Sequence, residues 1–172
     1  MRANSDRTLF DGQSASAAAW QVSNDDVMGG RSTSSFLLSD GMAVFQGEVS
    51  LENNGGFASV RSLPAHLDLG GCDTFVVRVR GDGRRYKFTA RTDQRFDRAI
   101  HQCGFITKQG DWEEQTLPFD RFVATFRGRA LPNEPPLDPA TVTSIGLLIS
   151  DKQGGPFRLE IAWIKATTLA ES

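Results

Sequence analysis

Residues 74–92, TFVVRVRGDGRRYKFTART, decide the fold. Two runs rich in Val, Phe and Thr flank Gly81-Asp82-Gly83, and in the second run Tyr86, Phe88 and Ala90 alternate with Lys87, Thr89 and Arg91. A period of two sends successive side chains to opposite faces of an extended chain, which excludes a helix and leaves one face to bury and one to wet. Glycine tolerates positive φ, so the stretch reads as two strands, Thr74 to Arg80 and Arg85 to Thr92, folded back on each other as a hairpin.

Outward from this stretch the pattern repeats. Ser32 to Leu38 and Met42 to Leu51 flank Ser39-Asp40-Gly41; Phe105 to Lys108 and Trp112 to Leu117 flank Gln109-Gly110-Asp111; Ser144 to Ser150 and Pro156 to Lys165 flank residues 151–155. Each reads as a further strand pair. In the last strand Phe157, Leu159, Ile161 and Trp163 share a face opposite Arg158, Glu160, Ala162 and Ile164, and Trp20, Phe88 and Trp163 are assigned to the core. Very little helix is expected: a turn at Phe119 to Val123, and another at Asp138 to Val142 with Asp138 as cap and Pro139 at the first helical position. Arg127 to Pro139, with four prolines, reads as a long surface loop. Many short strands and almost no helix predict an all-β sandwich or barrel.

The 172 residues fit a single domain spanning 1–172, with a core at about 8–165 and short flexible ends. An apolar share of 39% and a charged share of 23% place the chain among soluble globular proteins, outside the disordered and membrane classes. Nineteen Lys and Arg against twenty-one Asp and Glu give a net charge of −2, which removes any whole-domain case for nucleic acid or an anionic membrane. The first ten residues hold no apolar run, and Ala15 to Trp20 is too short to span a bilayer, so no secretion signal or membrane span is read and the expected location is cytoplasmic. Cys72, Cys103, His66 and His101 match no zinc spacing; free thiols are expected, with a disulfide as the alternative.

Four segments stand out as a set: WQVSNDDVMGGRS (20–32), FQGEVSLENNGGFASVRS (45–62), VRGDGRRYKFTART (79–92) and SIGLLISDKQGGPFRLEI (144–161). With them the chain resembles the family of complex I intermediate-associated protein 30 over about residues 8–165. The resemblance implies a galactose-binding-like jelly roll, a two-sheet antiparallel sandwich. It also implies the role of the mitochondrial members, assembly chaperones of respiratory complex I. Related plastid domains occur in factors tied to RNA and photosystem biogenesis. Unlike the mitochondrial members, the chain is expected to carry no N-terminal targeting extension.

The same segments carry chemistry. Asn24, Asp25 and Asp26 offer three oxygen ligands before Gly29-Gly30, which suit Ca²⁺ as the one cofactor considered, or serve turn chemistry alone. Asn53-Asn54-Gly55-Gly56 can bond sugar hydroxyls or a peptide backbone, or can simply make a tight turn. Arg61 and Arg91 lie in otherwise apolar or small strands, where a guanidinium needs a carboxylate such as Asp25 or Asp26, or a phosphate or carboxylate ligand. Eight Lys and Arg between Arg78 and Arg98 read as an RNA contact or, more simply, as a solvated face. There is no GxSxG, Walker or dinucleotide-binding motif, and Cys103 beside His101 is the single pair with nucleophilic potential.

Three function classes follow. The first is a non-catalytic binding or assembly-chaperone module with a protein partner. The second is a carbohydrate or other polar small-molecule binding module, Ca²⁺-dependent if Asp25 and Asp26 take the ion. The third is a sandwich-fold enzyme such as a cyclase or isomerase. Asp25, Asp26, Asn53, Asn54, Arg61, Asp151 and Lys152 are expected to gather at one end of the sandwich as the binding surface, because sandwich loops cluster there.

Overall fold

The computed structural model describes residues 7–11, 20–24, 33–39, 41–50, 56–62, 67, 69–92, 100–126, 129–131, 137–150 and 153–168. Two antiparallel sheets face each other. The six-stranded sheet is built from β1 (Arg7–Asp11), β3 (Thr33–Ser39), β4 (Met42–Val49), β6 (Thr74–Arg80), β9 (Trp112–Pro118) and β13 (Gly155–Thr167). The seven-stranded sheet is built from β2 (Trp20–Asn24), β5 (Ala58–Ser62), β7 (Arg85–Arg91), β8 (Ile100–Ile106), β10 (Val123–Phe126), β11 (Arg129–Ala130) and β12 (Ser144–Ile149). Its order is β11-β10-β8-β7-β12-β5-β2, and that of the six-stranded sheet is β3-β4-β13-β6-β9 with β1 added against β13. This is the two-sheet jelly-roll sandwich expected.

The alternation read in 74–92 holds: Phe75, Val77 and Val79 point into the core from one sheet, and Tyr86, Phe88 and Ala90 from the other. The hairpin does not. β6 pairs with β13 and β9, whereas β7 pairs with β8 and β12, so Gly81–Gly83 carries the chain from one sheet to the other. The same correction applies to the turn between β8 and β9 and to that between β12 and β13; of the four expected pairs, β3 and β4 alone form a hairpin. Both geometries bury alternate residues of two successive strands, and a hairpin sets the buried sets side by side while an arch sets them face to face. Period two is blind to the difference. Phe75 and Phe88, centroids 4.6 Å apart, are thus partners across the core.

The arches explain the motifs. Gly81 is obligatory because a Cβ there would lie 2.2 Å from that of Thr107, whose hydroxyl accepts from Gly83 N (3.1 Å) and donates to Arg84 O (2.8 Å). Gly83 adopts φ +88°. Asp82 accepts from Arg84 N and from the hydroxyl of buried Tyr86, both at 3.1 Å, and from Arg158 N of β13 at 2.8 Å. Burial first, and the Asp82 carboxylate next, push the Tyr86 pKa far up, so its hydroxyl stays a donor. Arg84 reaches the neighbouring arch, donating to Gln153 O and Gly154 O at 3.1 and 3.2 Å, and Gln153 answers by bonding both backbone groups of Arg85.

Four other expectations met different outcomes. Single 3-10 turns form at Phe119–Arg121 and Pro139–Thr141, the second capped by Asp138, which accepts from Ala140 N, with Pro139 at its start. Trp163, by contrast, is not in the core. A bulge between Ile161 and Trp163 inserts one residue, so Phe157, Leu159 and Ile161 point inward before it and Ile164 and Ala166 after it. Trp163 is left on the outer face under the Lys165 ammonium, 4.5 Å from its centroid. Trp20 packs at the margin of the core, stacked on Phe36 at 4.9 Å. Within the stretch read as a surface loop, Arg129–Ala130 forms a short strand and Leu137 is buried.

Candidate functional site

Of the seven residues expected to form a binding surface, Arg61 alone lies among those described; Asp25, Asp26, Asn53, Asn54, Asp151 and Lys152 lie outside them. Their strand anchors are informative. Asn24 at the end of β2 pairs with Ala58 at the start of β5, and Ala58 with Ile149 at the end of β12. The loops that begin after Asn24, end before Ala58 and begin after Ile149 therefore leave the same end of the seven-stranded sheet. Arg61, three residues along β5, stands about 10 Å from that end at 3.3 to 3.4 Å per residue.

Arg61 projects from the outer face of this sheet. The pairing registers lay that face out as a grid: Arg61, Gly146, Thr89, Gln102 and Val123 form one cross-strand row, and Ser59, Leu148, Lys87 and Gly104 the next. Gly146 keeps the middle bare; a Cβ there would sit 2.4 Å from the carbonyl oxygen of Val60 and 2.8 Å from the Thr89 hydroxyl. Over this gap the long side chains of Arg61 and Arg91 sense each other. Burial lowers the Arg61 pKa, and burial followed by the Arg61 charge pushes that of Arg91 down to about 10. Both remain cationic at neutral pH. The two guanidinium groups therefore lie near enough for the charge of Arg61 to disfavour that of Arg91. Beneath them Ser144 donates to Ser62 O at 2.6 Å, locking β12 to β5.

The basic run from Arg78 to Arg98 is divided by the arch. Arg78 and Arg80 belong to the outer face of the six-stranded sheet, over the Trp112 ring at 5.7 and 5.0 Å. Arg80 and Arg158 there close on Glu160, whose carboxylate is almost fully buried between them. Arg85, Lys87 and Arg91 lie on the other sheet. A shallow depression of about 650 Å³ beside Arg158 is lined by Asp82 and Gln46, both already bonded within the fold. Sequence reasoning named Arg61 and weighed Arg91, but the grid that joins them needs the strand order, which no local pattern encodes.

Cys103 and His101 both face the core. Both cysteines are free, and burial raises the Cys103 pKa, the opposite of what a nucleophile needs. Among the described residues no three His, Cys, Asp or Glu side chains converge to hold a metal ion, and no helix is long and apolar enough to cross a membrane.

The family model for complex I intermediate-associated protein 30 matches residues 8–161. The mouse protein named complex I intermediate-associated protein 30, mitochondrial, is 31% identical over 170 residues, covering 87% of this chain and 52% of the relative. The Drosophila melanogaster protein of the same name is 29% identical over 168 residues, 84% of this chain and 57% of its own. The chain thus spans about half the length of the curated relatives it matches. Among solved structures, a family 11 carbohydrate-binding module of Clostridium thermocellum, in complex with a mixed-linked tetrasaccharide, superposes with a TM-score of 0.74 at 13% identity over the whole of both chains. An agarase matches with a TM-score of 0.65 at 12% identity, over 97% of this chain and 25% of its own. At these identities the structures establish the fold.

Proposed function

The chain belongs to the family of complex I intermediate-associated protein 30, and from that we propose that it is a non-catalytic binding module which holds a protein partner during assembly of respiratory complex I. The observation that carries this reading is the match to the family model over residues 8–161, and the one nucleophile candidate among the described residues is shut in the core. The strand ends next to Asp25, Asp26, Asn53, Asn54, Asp151 and Lys152 in the sequence, at Asn24, Ala58 and Ile149, lie together at one end of the seven-stranded sheet, which supports these residues as part of the contact. Its location follows the partner: mitochondrial for the named relatives, and cytoplasmic, as the sequence was read, in a cell whose respiratory membrane faces the cytoplasm.

The test is affinity capture of the tagged protein from its native host, followed by native gel electrophoresis and mass spectrometry. Co-migration with partly assembled complex I is expected; a tagged, folded protein that retains no complex I subunit overturns the reading. A second reading takes its support from the carbohydrate-binding fold and makes the same surface a sugar site, with Ca²⁺ held by Asp25 and Asp26. Calorimetric titration with a mixed-linked glucan tetrasaccharide, with and without Ca²⁺, separates the two, because the assembly reading expects no heat.

A further inference from the structure

β8 is paired along its whole length on one side only. β7 runs beside all of Ile100–Ile106, whereas β10 on the other side meets Ile100, His101 and Gln102 alone. Before Val123 the chain turns off into the 3-10 turn at Phe119–Arg121, and Phe122 N bonds back to Phe119 O, so β10 stops short of Gly104. The register tells which backbone groups this leaves open. Thr107 N donates to Arg84 O, and Arg85 turns both its backbone groups to Gln153, so Arg85 and Ile106 face each other without exchanging hydrogen bonds. Bonded and non-bonded positions alternate in an antiparallel pair, so Lys87 and Gly104 do the same two residues along. The N–H and C=O of Gly104 and of Ile106 therefore point away from β7, into the place that β10 vacates. Gln115 of β9 donates its side-chain amide to Ile106 O at 2.9 Å. The Gly104 carbonyl meets the weakly donating Cys103 thiol, 3.8 Å away, and the N–H groups of Gly104 and Ile106 meet no acceptor among the described residues.

The side chains around this notch set it apart as well. Gly104 is exposed and has no Cβ. Ile106 and Val123, its neighbours on either side along the outer face, are 65% and 50% exposed, two of the three large hydrophobic side chains exposed among the described residues. An open strand edge is a template for another chain, and edges are commonly blunted by charge or proline. β9, the edge of the facing sheet on this side, is blunted in that way by Glu113, Glu114 and Pro118. Gly104, Phe105 and Ile106 carry neither charge nor proline. Backbone donors and acceptors in alternation are matched by another extended backbone; those of a helix are satisfied internally, and a phosphate or lipid headgroup offers no such alternation.

We propose that the notch beside Gly104–Ile106 takes an extended segment of a partner protein as an added strand, in line with β10 and antiparallel to β8. The segment's central residue exchanges two hydrogen bonds with Gly104, and its side chain lies on the outer face between Ile106 and Val123. An aliphatic residue there, with β-branched neighbours, suits the site. This deepens the assembly reading and rests on it for the partner being a protein.

The probe is the peptide acetyl-Lys-Thr-Ile-Thr-Lys-amide, added to the isotope-labelled whole chain and followed by nuclear magnetic resonance. Before it is added, the amides of Gly104 and Ile106 should exchange with solvent at least about 10-fold faster than those of Cys103 and Phe105, which bond to β7. Equal protection, or protection that rises as the protein alone is concentrated, gives the edge to this chain or to a second copy of it and overturns the proposal. The peptide should bind and slow both exchanges. N-methylation of its Ile, whose N–H meets Gly104 O, should weaken binding about 10-fold or more through the lost bond and the added bulk. N-methylation of the following Thr, whose N–H points to the free side, should change it less than about 3-fold. Ile106→Lys and Val123→Lys, at exposed positions that tolerate change, should each weaken it about 3-fold or more, and Leu37→Lys, exposed on the other sheet, should leave it unchanged. No binding, equal loss from both methylated peptides, or equal loss from Leu37→Lys overturns the proposal. If the Ile106→Lys and Val123→Lys proteins co-migrate with complex I intermediates as the wild type does, the docking site is wrong and the assembly reading stands. Peptide binding at the notch by a protein that captures no complex I subunit leaves the strand-accepting site standing and removes the assembly reading.

Discussion

At the scale of single residues the buried aromatic side chains and the outward ones separate cleanly. Phe88 has no exposed surface and meets Phe75 across the sandwich, so Phe88→Ala deletes a ring that nothing can replace. A loss of about 3 to 5 kcal/mol is expected. Trp163 is larger but sits outside the sandwich against Lys165, and Trp163→Ala should cost about 1 kcal/mol, a cation–π contact and some covered surface. Urea unfolding followed by far-ultraviolet circular dichroism checks both; equal losses would mean that the bulge in β13 is misplaced. The sequence assigns Phe88 and Trp163 to the same class because each falls on the apolar face of its strand when every second residue is counted. The assignment holds for the strand that keeps its register and fails for the strand that does not, where the change from Arg158 and Glu160 to Ala162 and Ile164 on the opposite face is the one local sign that burial switches sides.

At the scale of elements the strands were legible and, β3 with β4 apart, their partners were not. Arg80 and Arg85 would face each other in a hairpin; in the arch Arg80 instead pairs with Trp112 and Glu160, and Arg85 with Ile106. Backbone cross-strand NOEs from Arg80 to Trp112 and Glu160, with none to Arg85, are the expected result, and NOEs between Arg80 and Arg85 would restore the hairpin. The distinction has weight for the candidate site. Had the turn been a hairpin, Arg78, Arg80, Arg85, Lys87 and Arg91 would have shared one surface, and a continuous basic stripe would have suited RNA. The arch sends the first two to a sheet rich in carboxylates, where Arg78 meets Glu114 at 3.4 Å and Arg80 meets Glu160. What remains opposite is a smaller patch. The interlock of Arg84 with Gln153 and Gly154 was equally hidden, because it joins turns some seventy positions apart.

At the scale of the whole molecule the sandwich encloses both thiols. Cys72 and Cys103 are free and buried. Neither should react with an aromatic disulfide reagent in the native protein, and both should react once it is unfolded in guanidinium chloride; labelling of the native protein would place a cysteine at the surface. The all-β class and the near absence of helix followed from period two and from glycine-rich turns, while the residues that share a sheet face followed from strand order, a global property that short patterns do not carry. One feature of that order reaches back to how the chain is made. β13, thirteen residues long, is the spine of the six-stranded sheet: β4 and then β1 flank one side of it and β6 the other. It also follows all the other described strands in chain order, and so leaves the ribosome after them. At about 5 to 20 residues added per second, the apolar faces of β4 and β6 wait several seconds in the nascent chain for the strand that unites them. During its own synthesis the chain thus holds out unpaired apolar faces of the kind that holding chaperones cover.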